Sequence, residues 1–337
     1  MTRLRHTSPH RPGWTRRRSG KGFVYLDERG RRIADPEIVE RLRALVIPPA
    51  WRDVWICPHP NGHLQVVGSD DRGRRQYMYH QQWQEMRSRQ KHERIIEFAH
   101  RLPDARRKVS EHITLRGMPR ERTLATAFRL LDLGLFRIGG ESYTQQNGSH
   151  GLATLHKEHV RLQNGTAVFE FAAKSGVRQM VEVADPEVVA VLRVLKRRRS
   201  GGSELLAWRQ GGQRWTDVTS SDINQYVKDV IGTTFSAKDF RTWHATVLAA
   251  KALSNAPVPS SLTATRRGVT RAMKEVAEQL GNTPAICRGS YVDPRVIDRF
   301  HEGTTIKAAV QRAHRTETSA AALDAAAERE VLRLLQN

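Results

Sequence analysis

Hydrophobic and polar positions change their period along the chain, and those changes predict its elements. Residues 1–21 are rich in Arg, Pro, Ser and Gly and hold little to bury, so residues 1–20 are expected to form a flexible basic segment. From Lys21 to Asp27 aromatic and aliphatic residues alternate, and Glu28-Arg29-Gly30 supplies a turn; this predicts a hairpin. Asp35-Pro36 offers a helix N-cap followed by a proline suited to the first turn. Ile38, Val39, Leu42, Leu45 and Val46 follow at helical spacing, and Pro48-Pro49 stops the helix. Short strands are predicted at 54–57, 64–67 and 76–79, with Asn61-Gly62 turning between the first two. Together these make a small α+β domain over 21–88.

Beyond it the period lengthens. Helices are predicted around 83–100, 121–135, 186–199, 222–231, 237–254, 266–280 and 294–302. One β element interrupts them: 160–163 and 168–172 flank Asn164-Gly165, and Lys174-Ser175-Gly176 turns into a third strand over 177–183. Lys174 therefore falls at or beside a hairpin tip. The reading is an α+β chain: an antiparallel N-terminal domain, a larger, mainly helical domain over 89–315, and an Ala- and Leu-rich helical tail over 316–337.

Charge narrows the class of partner. Fifty-six Lys and Arg face 35 Asp and Glu, for a formal charge of +21, and 39% of the residues are hydrophobic, enough for real cores. Abundant bases on a folded chain suit a polyanion, nucleic acid first and a membrane surface second. No apolar run approaches the ~20 residues of a spanning helix, and the basic N-terminus carries no apolar signal segment. Two cysteines, Cys57 and Cys287, support neither a disulfide framework nor a four-ligand zinc site, and a reducing, cytoplasmic setting fits. Cys287 reads as a small buried hydrophobe. Asp, Glu and His show no cluster at ligand-like spacing, which counts against a metal-dependent nuclease; no metal or cofactor is expected.

Five residues in the larger domain form a set with one chemical use. They are Arg137 in Phe-Arg-Ile-Gly, Lys174 in Phe-Ala-Ala-Lys-Ser-Gly, Arg241 in Lys-Asp-Phe-Arg-Thr-Trp-His, Asn282 in Leu-Gly-Asn-Thr-Pro, and Tyr291 in Gly-Ser-Tyr-Val-Asp-Pro. Attack on a phosphodiester builds negative charge on the non-bridging oxygens, and preplaced cations and donors offset it. The planar forks of Arg137 and Arg241 suit two phosphate oxygens. Asn282 can donate through its amide, Lys174 can protonate a departing sugar oxygen, and Tyr291 can attack. A phenol is mostly protonated at neutral pH, so the arginines must favour its oxyanion. Taken singly, each has a plainer reading: a solvated arginine, a turn lysine, a core or surface tyrosine. His244, three residues after Arg241, reads as a packed histidine and stands outside the set.

The order and local contexts of the set resemble those of type IB DNA topoisomerases, in the small poxvirus-like form of bacteria. Arg137-Ile138-Gly139, Lys174 after Phe171-Ala172-Ala173, Lys238-Asp239-Phe240-Arg241-Thr242, Gly281-Asn282-Thr283-Pro284 and Tyr291 carry the likeness, which spans residues ~20–315. The resemblance implies that Arg137 and Arg241 bind the scissile phosphate, that Lys174 is the general acid, that Asn282 contacts a phosphate oxygen and that Tyr291 forms a 3′-phosphotyrosyl link. Eukaryotic and viral members carry histidine where this chain has Asn282; the exchange suits a hydrogen-bond donor and not a proton shuttle. Arg72-Gly73-Arg74-Arg75-Gln76-Tyr77-Met78-Tyr79-His80 resembles the family segment that touches the major groove. It implies that Gln76 reads a base edge, that Tyr77 and Tyr79 meet bases or backbone, and that Arg74 and Arg75 neutralise phosphates. Trp51 and Trp55 read as core.

The function implied is ATP- and metal-independent relaxation of supercoiled duplex DNA. A monomer would clamp the DNA, nick one strand, let it rotate and reseal it, in the cytoplasm at the nucleoid. A tyrosine recombinase shares the nine-residue step from 282 to the tyrosine, but usually has His-x-x-Arg where this chain has Lys238-x-x-Arg241, and a helical DNA-clamping domain. A non-catalytic basic DNA-binding protein would account for the charge and not for the ordered set.

Overall fold

The computed structural model describes residues 3–141, 144, 147–211, 214–257, 261–317 and 319–337. The chain divides into two compact units, Met1–His92 and Glu93–Asn337.

The first unit is built on a five-stranded antiparallel sheet, in the order β2-β1-β3-β4-β5. Its strands are β1 (Trp14–Ser19), β2 (Gly22–Leu26), β3 (Arg52–Ile56), β4 (Leu64–Ser69) and β5 (Arg75–Tyr79). Helix α1 (Pro36–Ala44) is capped by the Asp35 carboxylate, which accepts from the Glu37 and Ile38 amides. Its Leu42 packs with Ile47, Val54, Ile56 and Val66 in a small core.

The expectation that residues 1–20 are flexible fails at Trp14–Ser19, which forms β1. The reason lies in Arg16, half-buried and aimed back into the fold. Its guanidinium donates to the carbonyls of Ile47 at 2.8 Å, Pro48 at 2.5 Å and Trp51 at 3.1 Å, and lies 4.1 Å from the Phe23 ring centre. An arginine that looks solvated in the sequence here caps the chain leaving α1. The expected hairpin after Leu26 forms as a short turn on the free edge of β2, with Asp27 N–H donating to Arg31 O at 2.8 Å, Ile33 N–H to Tyr25 O at 3.0 Å and a bridge from Leu26 to Arg32. Trp51 packs against the small core, but Trp55 is only half-buried and its Nε1 donates to the Arg11 carbonyl at 3.0 Å.

Helix α2 (Gln81–Ile113), within which the division between units falls, outruns the helix predicted at 83–100. It continues through Pro103, which lacks the N–H that a helix needs there. Ile95, Phe98, Leu102, Ala105, Val109 and Ile113 recur at three- to four-residue steps and are all buried, so packing outweighs the lost bond.

The second unit continues with α3 (Arg120–Gly134) and then a three-stranded antiparallel sheet of β6 (Val160–Gln163), β7 (Thr166–Ala172) and β8 (Arg178–Val183). There follow α4 (Pro186–Arg197), the two-residue strands β9 (Ala207–Trp208) and β10 (Thr216–Asp217), and α5 (Ser220–Ile231). The chain closes with α6 (Ala237–Ser254), α7 (Leu262–Leu280), α8 (Pro284–Ser290), α9 (Pro294–His301), α10 (Lys307–Thr316) and α11 (Ala320–Gln336). Helix α6 is buried nearly all round, as a central helix must be. The Phe240 ring meets Phe98 at 5.0 Å and Phe128 at 4.9 Å, both edge to face. The tail helix α11 buries Ala327, Val331 and Leu335 in this core. No helix among the described residues is long and apolar enough to cross a membrane.

Candidate functional site

Three loops and one helix bring most of the predicted set together. Helix α3 ends at Leu135 in the left-handed region, and Arg137 follows two residues on. The loop is pinned by its own backbone: Leu152 N–H donates to Arg137 O and Ala153 N–H to Ile138 O, both at 2.8 Å. Gly139 has φ +79°, and a Cβ there would lie 2.8 Å from Gly151 Cα, so the Arg-Ile-Gly motif needs its glycine for a backbone-to-backbone approach.

Arg241 projects from α6 and is only 3% exposed. Its Nη1 donates to Leu135 O and its Nη2 to Leu280 O at 2.8 Å. Helix α7 ends at Gly281 with φ +58°, a left-handed cap that glycine adopts without strain. Arg137 Nη2 donates to Gly281 O at 2.8 Å and to Asn282 Oδ1 at 2.5 Å. Two guanidiniums thus share the electronegative carboxyl end of α7. Burial, and after it the like charge of Arg137, draws the Arg241 guanidinium below its usual value, and Tyr291 opposes the shift.

Tyr291 follows directly on α8, whose N-terminus is set by Thr283 and Pro284. Arg241 Cζ lies 5.3 Å from the Tyr291 ring centre. The segment is tied to α6: the Asp293 amide donates to Thr246 Oγ1 at 3.1 Å, and the fully buried Asp293 caps α9. Thr246 and Asp293 were not singled out from the sequence, although Asp293-Pro294 carries a legible helix-start signal. Cys287 is buried beside the two arginines; burial raises its thiol and the guanidiniums pull it down.

Two donors of this group stand out. Arg241 Nε and Asn282 Nδ2 are buried and have no hydrogen-bond partner among the described residues. Native folds rarely leave such groups unmatched without a use for them. Lys174 is exposed, on a single 3₁₀ turn between β7 and β8, and among the described residues no bond joins it to the other four. Its hairpin does reach the group: a Cβ on Gly281 would lie 3.4 Å from Gln179 Nε2 on β8.

In the first unit the predicted segment is the edge strand β5 and the turn before it. Arg75, Tyr77 and Tyr79 are exposed and alternate with Gln76 and Met78, which lean inward. The two tyrosine rings are nearly parallel, with centres 6.3 Å apart. Gln76 therefore lies on the other face of the strand from them, and its Nε2 donates to Asp70 Oδ2 at 2.9 Å. Arg74 also binds Asp70, through Nε and Nη2, both at 2.8 Å. Partial burial alone would raise the Asp70 carboxyl, but the amides of Arg74 and Arg72 and these side chains hold it down at about 2. The five residues thus separate into an outward trio and a pair engaged in shaping the turn.

Two further points concern histidines. His244 leaves α6 away from Arg241's partners and joins Asp132 Oδ1 through Nε2 at 2.9 Å, the packed role expected of it. The expectation that no Asp, Glu or His cluster has ligand-like spacing is corrected: His156, Glu158 and His159 bring ligand atoms within 4.8 Å of one another. A 3₁₀ turn over Lys157–His159 folds the three together, where short sequence spacing alone gave no sign of it.

Residues 80–318 match the family model described as eukaryotic DNA topoisomerase I, catalytic core. The chain belongs to the type IB DNA topoisomerase family. Residues 22–70 match the bacterial DNA topoisomerase IB N-terminal domain, a stretch that holds β2, α1, β3 and β4 of the first unit. The chain is similar to the DNA topoisomerase 1B of Acanthamoeba polyphaga mimivirus, 27% identical over 287 residues, covering 83% of this chain and 85% of that protein. It is 22% identical to the DNA topoisomerase 1B of Vaccinia virus (strain Copenhagen) over 239 residues, 70% of this chain and 72% of that one. A shorter stretch of 127 residues is 31% identical to the DNA topoisomerase 1 of Candidozyma auris, covering 37% of this chain and 16% of that protein. As a type IB topoisomerase the chain is an isomerase acting on DNA, and its α+β layout, an antiparallel sheet followed by a mainly helical core, is that of the family.

Proposed function

We propose that this topoisomerase relaxes supercoiled duplex DNA with Tyr291 as nucleophile and without ATP or metal. The Tyr291 phenol loses its proton to solvent as its oxygen attacks the phosphorus, the 5′-oxygen of the downstream strand leaves with a proton from Lys174, and the 3′ end stays on the tyrosine. Arg137 and Arg241 hold the non-bridging oxygens, and Asn282 donates through Nδ2. Strand rotation follows, and the 5′-hydroxyl attacks in the reverse step with Lys174 as base. The bond energy is kept in the phosphotyrosyl link, so no nucleotide is consumed.

The observation that carries this reading is the pair of buried, unpartnered donors, Arg241 Nε and Asn282 Nδ2, in one group with Arg137 and Tyr291. A phosphodiester oxygen is the acceptor such donors suit. Lys174 joins from its turn once DNA is bound. The first unit holds the duplex through Arg75, Tyr77 and Tyr79, with Arg74 and Gln76 shaping the turn beside them; the enzyme acts as a monomer at the nucleoid. The test is supercoiled plasmid in EDTA without ATP: the wild type relaxes it and forms an SDS-trapped covalent adduct, and Tyr291→Phe binds DNA but does neither. Plasmid that stays supercoiled across a range of salt overturns the reading, and a relaxing Tyr291→Phe variant overturns the nucleophile.

A further inference from the structure

A second cluster of reactive side chains lies outside the group just described. His150, His156 and His159 pack around one point: their ring centres are 5.0 Å (150–156), 4.5 Å (150–159) and 5.2 Å (156–159) apart. Three imidazoles held by one tetrahedral ion through nitrogens at ~2.1 Å stand about 5 Å apart, centre to centre. Glu158 adds a carboxylate, 3.8 Å from His156 Nδ1. His150 stands outside the trio whose ligand atoms lie within 4.8 Å of one another, and joins it after a small shift. Its Nδ1 lies 2.6 Å from the Thr154 carbonyl, which can only accept, so the proton sits on Nδ1 and Nε2 keeps its lone pair. A ligating histidine is commonly fixed by such a bond from its other nitrogen. His159 is bonded through Nδ1 to the His156 amide at 3.0 Å and enters the shell by turning its ring or yielding that bond.

From this arrangement we propose that His150, His156, His159 and Glu158 form a binding site for one borderline-soft divalent ion of the zinc type. Imidazole and carboxylate together suit zinc, and the ligand number leaves room for four-coordination.

The site sits where an ion would brace the fold. His150 N–H donates to Ala172 O at 2.7 Å, two residues before Lys174, and Leu152 N–H donates to Arg137 O. Lys196 Nζ fixes the other side of the turn, donating to Lys157 O at 2.8 Å and to Val160 O. The ion has no part in the proposed strand cleavage, so the two readings fail separately.

The experiment titrates the tag-free full chain with zinc chloride by calorimetry and follows thermal unfolding with and without the ion. Wild type is expected to take up one equivalent and to melt higher with zinc, as any ligand of the folded state requires. Cobalt in its place should give the intense visible bands of a tetrahedral ion. His156→Ala and Glu158→Gln should weaken uptake at least tenfold and lose the melting shift, while plasmid relaxation in EDTA is unchanged. Absence of a single equivalent on wild type overturns the site, as does uptake that survives in both variants. Weak octahedral cobalt bands overturn the tetrahedral shell.

Discussion

Helix α6 presents an arginine and a histidine three residues apart, and they live by opposite rules. Around Arg241 the partners are backbone carbonyls, and Nε remains unmatched in the interior. Around His244 every charge is answered. Arg106 binds Asp132 through Nε and Nη2 at 2.7 and 2.9 Å and Glu328 through Nη1 and Nη2 at 2.7 and 2.9 Å, and His244 completes Asp132. The second group ties α2, α3, α6 and the tail helix α11 together, with Lys251 to Asp324 at 2.7 Å alongside. Carbonyl partners alone do not make the difference, since Arg16 is held the same way with its Nε unmatched; what sets Arg241 apart is Arg137, Asn282 and Tyr291 beside it. That distinction separates two arginines that look alike in a sequence holding 56 Lys and Arg.

The largest effect that sharpens the contrast is on chemistry. Arg241→Ala should slow DNA cleavage by roughly 100- to 1,000-fold, the usual loss for one donor to a developing oxyanion. Single-turnover cleavage of a suicide duplex measures it, and a loss under threefold would return Arg241 to the structural class. Next, Asp132→Ala should leave Arg106 and His244 without their shared anion and cost about 3–5 kcal/mol of stability. Urea unfolding reads this, and the cleavage rate per folded molecule should stay near wild type; a rate loss matching that of Arg241→Ala would erase the contrast.

The two groups should also part company in acid. Burial would raise the Asp132 carboxyl, but Arg106 and His244 outweigh it and hold it well below the ordinary carboxylate value. A depressed folded value means that the stabilisation is complete above pH ~4 and drains away as pH falls below it. Asp132→Asn should therefore flatten the acid limb of the stability–pH curve, with Arg241→Ala leaving that limb as steep as in wild type. The smallest effect concerns the first unit: Arg75→Ala should weaken DNA binding evenly across sequences and lower the salt slope by about 1, while cleavage of bound DNA is unchanged.

Much of this was legible beforehand, for identifiable reasons. Helix α6 spans the 237–254 that its sequence predicts, and Ser236 and Asp239 cap it. The site was legible as motifs, since Arg137 and Asn282 are hydrogen-bonded across 145 positions yet each sits in a telling local context. What escaped depended on contacts made after folding. Strand β1 was hidden because Arg16 spends its charge on carbonyls of a distant loop. Helix α2 runs past its proline because burial of Leu102 and Val109 outweighs one missing donor. Gln76 is held by Asp70, a contact that no sequence pattern announces.

The contact of Gly139 with Gly151 carries a consequence for how this enzyme can vary. A Cβ on Gly151 would lie 2.4 Å from Gly139 N, and neither residue has a side chain to give way. Every other amino acid would drive a wedge there and push Arg137 off the end of α7. Side chains are thus barred at two positions that carry no functional group of their own, in a motif whose arginine reaches the end of α7. The narrowest tolerance in the neighbourhood belongs to two glycines without functional groups.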